Sequence, residues 1–461
     1  MPYHAPKDEL LDRAGIESLQ RRKLGAMLEE VLRSNAFYAG KLAGTGFDAG
    51  KDPLERLPLT TRAEIQADQL AHPPYGTNLT YPLSRYHRLH QTSGSTDRDE
   101  AASPSFSPFV QAGPADSARA MGAMTDRASA TPLRWLDTAE SWAWFRHCWK
   151  IIFRAAGITE SDRILFPFSF GPFIGFWAAF ETAADLGNFC LPAGGMTTQA
   201  RLRHLLDHSA NVVCCTPTYA LHLAEVAAAG GINLADSPVR AIIVAGEPGG
   251  SVPHTRARIE QAFGARVYDH SGMTEIGSCS FECLENPGGV HVIESEFIPE
   301  VIDPATGSPI PEGQAGELVL TNLGRWGSPM IRYRTGDQAR LIRSRCACGR
   351  WFARLEGGIL GRTDDMFIVR GNNVFPSTVE SLLRSFAEVA EFRAEVDRRA
   401  ALTVLRLDIE PLPGADGDLL ARRIVERFRE ELLFAPEVAV RSPGSLPRFD
   451  MKARRFVSRR V

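Results

Sequence analysis

Apolar residues at Leu10, Leu11, Ile16, Leu19, Leu24, Met27, Leu28, Val31 and Leu32 recur near helical spacing and predict helix across residues 8–43. Leu57-Pro58-Leu59-Thr60-Thr61 then turns into a short helix over 62–70, with Thr61 as N-cap and Glu64 three residues on. The middle of the chain alternates. Apolar runs at 163–168, 212–215, 241–244 and 266–268 read as short buried strands, with helices at 198–208, 220–229 and 253–263. That order predicts parallel strands joined by crossover helices. Residues 135–149 also read as helix. From Glu294 to Ile342 strands are separated by Pro/Gly turns such as Asp303-Pro304-Ala305-Thr306-Gly307, which predicts a smaller antiparallel region. After Gly361 comes a unit with helices near 377–385 and 416–433 and strands near 389–397, 401–409 and 437–440. The fold class expected is α/β. A large N-terminal part of several subdomains, with parallel sheets and a small β-rich region, spans 1–361. A hinge at 362–365 leads to a small mobile α+β domain at 366–461.

At 461 residues, one large domain and a smaller one are natural. An apolar share of 44% is that of an ordinary globular protein, and a net charge of -3 excludes a broad nucleic-acid or anionic-membrane surface. The basic C-terminal residues Lys452, Arg454, Arg455, Arg459 and Arg460 read as a solvated helix face or a ligand-facing edge. The longest apolar stretch, near Phe166–Ala184, is broken by Pro, Gly, Ser and Glu, and residues 1–12 carry no apolar signal core. Eight cysteines are too sparse for a disulfide scaffold, so a cytoplasmic protein with reduced thiols is expected.

Several motifs carry chemistry. Thr92-Ser93-Gly94-Ser95-Thr96 offers backbone N–H groups and hydroxyls to phosphate oxygens, with glycine where the backbone must come close. Asp337, in Tyr333-Arg334-Thr335-Gly336-Asp337, can accept two hydrogen bonds from a diol. Lys452, downstream of Leu446-Pro447-Arg448, is a flexible ammonium able to stabilise developing negative charge. Cys346 and Cys348, with Cys283 and His291, can supply four tetrahedral zinc ligands; the alternative is free cysteines beside a Gly-Arg turn. Phe166-Pro167-Phe168-Ser169-Phe170-Gly171 and Gly175-Phe176-Trp177 suit an apolar pocket for an aromatic group, or aromatic core packing, with the glycines pointing to a cavity. Tyr219 and His270 are further candidate wall residues.

Four signatures run in order: Tyr268-Asp269-His270-Ser271-Gly272-Met273-Thr274-Glu275, then Tyr333 to Asp337, then Gly361-Arg362-Thr363-Asp364-Asp365 leading to Arg370-Gly371, and last Leu446-Pro447-Arg448 to Lys452. Together they resemble the adenylate-forming (acyl-CoA synthetase/AMP-binding) superfamily, specifically its phenylacetate–CoA ligase-like branch, from about residue 20 to the end. The resemblance implies ATP-dependent activation of a carboxylic acid, aromatic by preference, to an acyl-adenylate, followed by transfer to the thiol of CoA. It implies Mg2+ on Glu275, α-phosphate contact at Thr274, and nucleotide contacts at Gly246, Glu247, Pro248 and Asp269. It further implies ribose on Asp337, ribose or phosphate on Arg362, a hinge at Asp364, an acceptor loop at Arg370-Gly371 and a catalytic lysine at Lys452. Some relatives of this branch also carry a Cys…His segment and a later Cys-x-Cys.

The chain departs from that pattern in two places. Met451 precedes the lysine where glycine is usual. The phosphate loop breaks off at Asp97-Arg98-Asp99-Glu100, and the expected pattern resumes only at Thr131-Pro132-Leu133, so residues 97–130 read as an insertion. It is a surface excursion, a lid, or damage to nucleotide handling. Two alternatives to the CoA ligase therefore stand: an adenylating enzyme that loads a carrier protein or an amine, and a catalytically impaired nucleotide- or acyl-binding homologue.

Overall fold

A computed structural model describes residues 6–92, 132–172, 174–363, 365–369, 372–397, 403–449 and 453–459. The N-terminal helix is really two. Arg13–Ser34 is capped by Asp12, and Asn35 interrupts the chain to cap Ala36–Lys41. Thr61 forms the expected capping box with Glu64 at the head of the helix Arg62–Ala71.

Strands β1 (Tyr86–Gln91) and β2 (Arg134–Thr138) pair antiparallel, with Gln91 opposite Arg134. The helix expected over 135–149 is corrected here. Residues 135–137 belong to β2, and Thr138 caps a helix that runs Ala139–Ala155. The helical spacing of the tryptophans is real only beyond Thr138; before it, pairing with β1 takes precedence.

The strands β3 (Arg163–Phe166), β4 (Phe189–Pro192), β5 (Val212–Cys215), β6 (Ala241–Val244) and β7 (Arg266–Asp269) form a parallel sheet in the order β4-β3-β5-β6-β7. Alternation along each strand splits its side chains between two cores. Ile164, Phe166, Val212, Cys214, Ile243 and Tyr268 face the aromatic helix Ala139–Ala155. Leu165, Val213, Cys215, Ile242, Val244 and Val267 face the helices Thr198–Asp207, Pro217–Ala229 and Pro253–Phe263. Because β4 and β5 flank β3, the winding reverses beside β3. In such sheets ligands sit beyond the carboxyl ends of the strands at that reversal.

An antiparallel sheet follows in the order Ser280–Phe281, Gly289–Val292, Arg354–Glu356, Tyr333–Ile342, Ala315–Asn322, Phe297–Ile302. The short strand Gly361–Arg362 pairs with Asp337 and Gln338 of its central member. The C-terminal unit has its own core around Leu383, Phe392, Ile409, Ile424 and Phe428. Its sheet runs Glu437–Val440, Val404–Pro411, Val389–Asp397, Phe456–Arg459, beneath the helices Pro376–Arg384 and Gly417–Leu432. Among the described residues no helix is long and apolar enough to cross a membrane.

Candidate active site

The chemistry-bearing residues gather where the carboxyl ends of the parallel strands meet the antiparallel sheet. Asp337 and Arg362 are cross-strand partners, and Arg362 Nη1 donates to Asp337 Oδ1 (3.2 Å) and to the Thr335 carbonyl (3.3 Å). Gly336 is required between them. Its φ is +73°, and a Cβ there would stand 2.7 Å from Arg362 Nη2. Thr363 closes the turn through its N–H to the Gly336 carbonyl (2.7 Å).

Glu275 is buried, and its Oε1 accepts from Arg62 Nη1 at 2.8 Å. Arg62 Nη2 also donates to Thr92 Oγ1 (3.3 Å), so one guanidinium joins the first residue of the phosphate-loop motif to the candidate magnesium ligand. Sequence reading missed Arg62; it saw only the first residue of a capped helix. The hydroxyl of buried Tyr333 is pushed up first by burial and then by Glu275, with Arg62, Arg362 and Asp337 acting on it too, which marks the convergence of these charges.

A second missed residue is Arg325. It is wholly buried, forks onto Asp137 (2.7 and 2.8 Å), and donates through Nη1 to the carbonyls of Thr274 (2.6 Å) and Glu275 (3.0 Å). Burial alone would raise the Asp137 pKa, but Arg325 and His90 together outweigh it and hold the carboxyl below the usual range. The signal was slight: glycines at 324 and 327, the first passing so close to Trp144 that a Cβ would fall 2.1 Å from its ring.

Asp269 ends β7. Its carboxylate accepts from Ser251 Oγ (2.5 Å) and the His270 N–H (3.0 Å), and burial raises its pKa. Gly250 and Gly358 pass close to this group, with positions for a Cβ 2.6 Å from Asp269 Cγ and 2.7 Å from Ser251 Oγ respectively. Gly246 adopts φ +99° in the turn that follows β6. Glu247 Oε1 accepts from the Thr218 N–H (2.9 Å) and Oε2 from the Ala453 N–H (2.8 Å); Pro248 is exposed.

Phe168 and Phe170, beyond the end of β3, meet edge-on at 5.5 Å, and Phe170 continues to Trp177 at 4.8 Å. The Gly171 carbonyl accepts from Trp177 Nε1 (3.0 Å). The glycine argument for a cavity is corrected at one place: the Phe168 ring fills the space beside Gly175, where a Cβ would be 2.1 Å from Cζ. Tyr219 belongs to the opposite core, with Arg201 over its ring at 5.1 Å, and is thus separated from Phe168 and Phe170. His270 packs edge-on against Trp149 at 4.8 Å, on the Phe168 side of the sheet.

His270 Nδ1 lies 2.9 Å from the Ser280 carbonyl, which makes that nitrogen the N–H donor. Burial pushes the imidazole down to about 4. An unfolded chain begins to protonate this group near pH 6.5, while the folded protein does not. Its contribution to stability is whole above pH 6.5 and is lost as the pH falls towards 4. Between pH 7.5 and 5.5 that loss is about 1.3 kcal/mol. Urea unfolding of wild type and His270→Gln at both pH values should show the variant's stability falling less by this amount.

Ser93, Gly94, Ser95, Thr96, residues 97–130, Asp364, Arg370, Gly371 and Lys452 lie outside the described residues.

Away from this site, Cys283, His291, Cys346 and Cys348 bring their four ligand atoms within 4.8 Å of one another. Cys283 Sγ is 3.7 Å from Cys346 Sγ, and Cys348 Sγ is 3.8 Å from His291 Nε2. The edge of a zinc–thiolate tetrahedron is ~3.8 Å for a zinc–sulfur bond of ~2.3 Å. His291 Nδ1 is 2.9 Å from the Phe352 carbonyl, which fixes the proton there and turns Nε2 to the cluster.

Residues 138–324 match the AMP-binding enzyme model and 371–460 the AMP-binding enzyme C-terminal domain. The Phenylacetate-coenzyme A ligase of Pseudomonas putida is 31% identical over 100% of this chain and 99% of its own length. The chain belongs to the phenylacetate–coenzyme A ligase family. The Thermus thermophilus Phenylacetate-coenzyme A ligase is 28% identical, with 96% of each chain covered. Among solved structures, 2-Hydroxyisobutyryl-CoA Ligase in the postadenylation state with R3-HIB-AMP superposes with a TM-score of 0.87, at 26% identity over 100% of this chain and 94% of that one. The same ligase in the thioesterification state, with 2-HIB-AMP and CoA, reaches only 0.69 at 28% identity over 99% and 92%. The chain as described thus superposes better on the postadenylation structure of that ligase than on its thioesterification structure.

Proposed function

We propose that this protein is an ATP-dependent carboxylic acid–CoA ligase that works through an acyl-adenylate. Likeness to phenylacetate–CoA ligases along the whole chain carries this reading. In the first half-reaction a carboxylate oxygen of the acid attacks the α-phosphorus of ATP and pyrophosphate leaves. In the second, the CoA thiol attacks the acyl carbon and AMP leaves with the bonding pair. Most of the catalytic work is positioning and charge neutralisation. Asp337 is suited to hold the ribose diol, beside Arg362. Arg62 and Thr92 suit the phosphate end, and Glu275 is the carboxylate for Mg2+, which would offset phosphate charge when bound. Arg62, which rests on Glu275 here, would be available to phosphate oxygens where Glu275 is given to the metal.

The acid is aromatic in this reading, supported by the named activity of the relatives and by the Phe168–Phe170–Trp177 cluster. The full-length likeness to 2-Hydroxyisobutyryl-CoA Ligase puts small branched hydroxy acids second. ATP–pyrophosphate exchange over a panel of arylacetic, benzoic and 2-hydroxy acids, without CoA, tests both. Exchange with arylacetic acids is expected. Exchange with hydroxy acids alone would favour the second substrate class, and none with any acid would overturn the ligase reading. Adding CoA, a carrier protein or an amine then names the acceptor.

Zinc at Cys283, His291, Cys346 and Cys348 is part of this proposal as a closed structural site, supported by the donor set and its spacing. Elemental analysis should find one zinc per chain. Stripping it, or making Cys348→Ser, should lower the melting temperature by roughly 5–10 °C. A zinc-free protein with an unchanged melting temperature would overturn the site.

A further inference from the structure

Two arginines of the C-terminal unit are each gripped by a carboxylate of that unit and reach beyond it. Arg448 forks onto buried Glu410 (2.7 and 3.2 Å), and its Nε crosses to Glu225 on the helix Pro217–Ala229 (2.9 Å). Arg455, itself buried, forks onto Glu391 (2.6 and 3.0 Å) and donates through Nη1 to Glu380 (3.1 Å) and across to Thr218 Oγ1 (3.1 Å). Thr218 opens the same helix. Its N–H donates to Glu247 Oε1, and Glu247 Oε2 receives the N–H of Ala453. One short stretch of the large domain thus meets the small domain at three polar points, and all three bear on residues 448–455, which flank Lys452 in the chain. Arg258 adds a fourth contact, from Nη1 to the Val389 carbonyl (3.1 Å).

We propose that Glu225, Thr218 and Glu247 form a latch that holds the small domain in the adenylation posture, and so set how the enzyme divides its time between its two half-reactions. This rests on the ligase reading above. Both arginine forks are fixed before they cross, so little side-chain freedom is lost when the remaining N–H groups find the helix. The same residues cannot all be met in a second posture, because the contacts come from one face of one helix and one turn. The domain arrangement in which these contacts form superposes better on the postadenylation structure, at 0.87, than on the thioesterification structure, at 0.69, which puts the latch on the adenylation side of the cycle. Glu225 acts here as a positioning residue and touches no substrate.

Glu225→Lys is the test. Its side chain is 38% exposed, so the substitution disturbs the contact and not the core. Acid-dependent ATP–pyrophosphate exchange should fall about five- to tenfold, or ~1–1.4 kcal/mol. CoA-dependent consumption of preformed acyl-adenylate should stay level or rise. Glu225→Gln, which keeps an acceptor for Arg448 Nε, should retain more than half of the wild-type exchange. Amide hydrogen exchange of the segment 453–457 should quicken in Glu225→Lys, a readout independent of catalysis. Equal losses in both half-reactions, or unchanged exchange and protection, would overturn the latch. If wild type activates no acid, the ligase reading fails on its own, while the protection of 453–457 still decides the latch.

Discussion

Arg325→Met should cost about 3–5 kcal/mol of stability, the effect of removing one partner from a buried ion pair. Such a loss is a large part of the roughly 5–15 kcal/mol that holds a typical domain together. Asp137 would remain with no charge to face, at a position wholly shut off from water. His90, whose Nδ1 is 3.6 Å from it, would be the polar side chain left beside it. The double variant Arg325→Met/Asp137→Leu should recover most of the stability, since neither charge is then orphaned. It should not recover pyrophosphate exchange. Arg325 also fixes the carbonyls of Thr274 and Glu275, and methionine offers them no donor. Urea unfolding and exchange rates on the three proteins separate the two roles. Equal recovery of stability and activity would show that the arginine only fills space.

Asp337→Ala should lower kcat/KM for ATP by about 100-fold, with little change in melting temperature. A hydrogen bond to a charged group contributes about 1.5–3 kcal/mol, and two are at stake where a carboxylate meets a diol. The sharper readout is discrimination between ATP and 2′-deoxy-ATP. Wild type should prefer ATP strongly, because a site built for a hydroxyl rejects the analogue that lacks it. The alanine variant should hardly distinguish them. A variant that keeps the preference would move the ribose contact elsewhere, and Arg362, whose contact with Asp337 is removed by this substitution, would be the next residue to change.

Local signals were legible where they act over a few residues. The Thr61–Glu64 capping box and the alternation of helix and strand from Thr198–Asp207 to β7 follow from short-range pattern, whereas β4 and the helix Trp177–Asp185 were not read from it. The pairing of β1 with β2 did not follow from it either, because the partner strands are separated by the tract 93–131 and neither has a turn signal of its own. Trp135 was drawn into a helix for the same reason. Within the site, the family motifs pointed to Asp337, Arg362 and Glu275, which the fold brings together around Tyr333. Arg62 and Arg325 were invisible because each pairs with a carboxylate more than 180 residues away. Tyr219 was grouped with the aromatic segment by chemistry alone, and the sheet puts a layer of strands between them.

Thr92 and Leu133, on either side of the stretch that carries the phosphate-loop motif, are tied to each other. Thr92 donates its N–H to the Leu133 carbonyl (3.0 Å), and the Leu133 N–H returns to Thr92 Oγ1 (3.0 Å), continuing the register of β1 and β2. The two flanks of this stretch therefore stand side by side. For the fold, the entropic cost of joining two flanks so placed grows only with the logarithm of the length of chain between them, about 0.6 kcal/mol for each doubling. A lineage could therefore lengthen, trim or rewrite this stretch over generations without shifting a single strand, and selection on it would come from the reaction and not from folding.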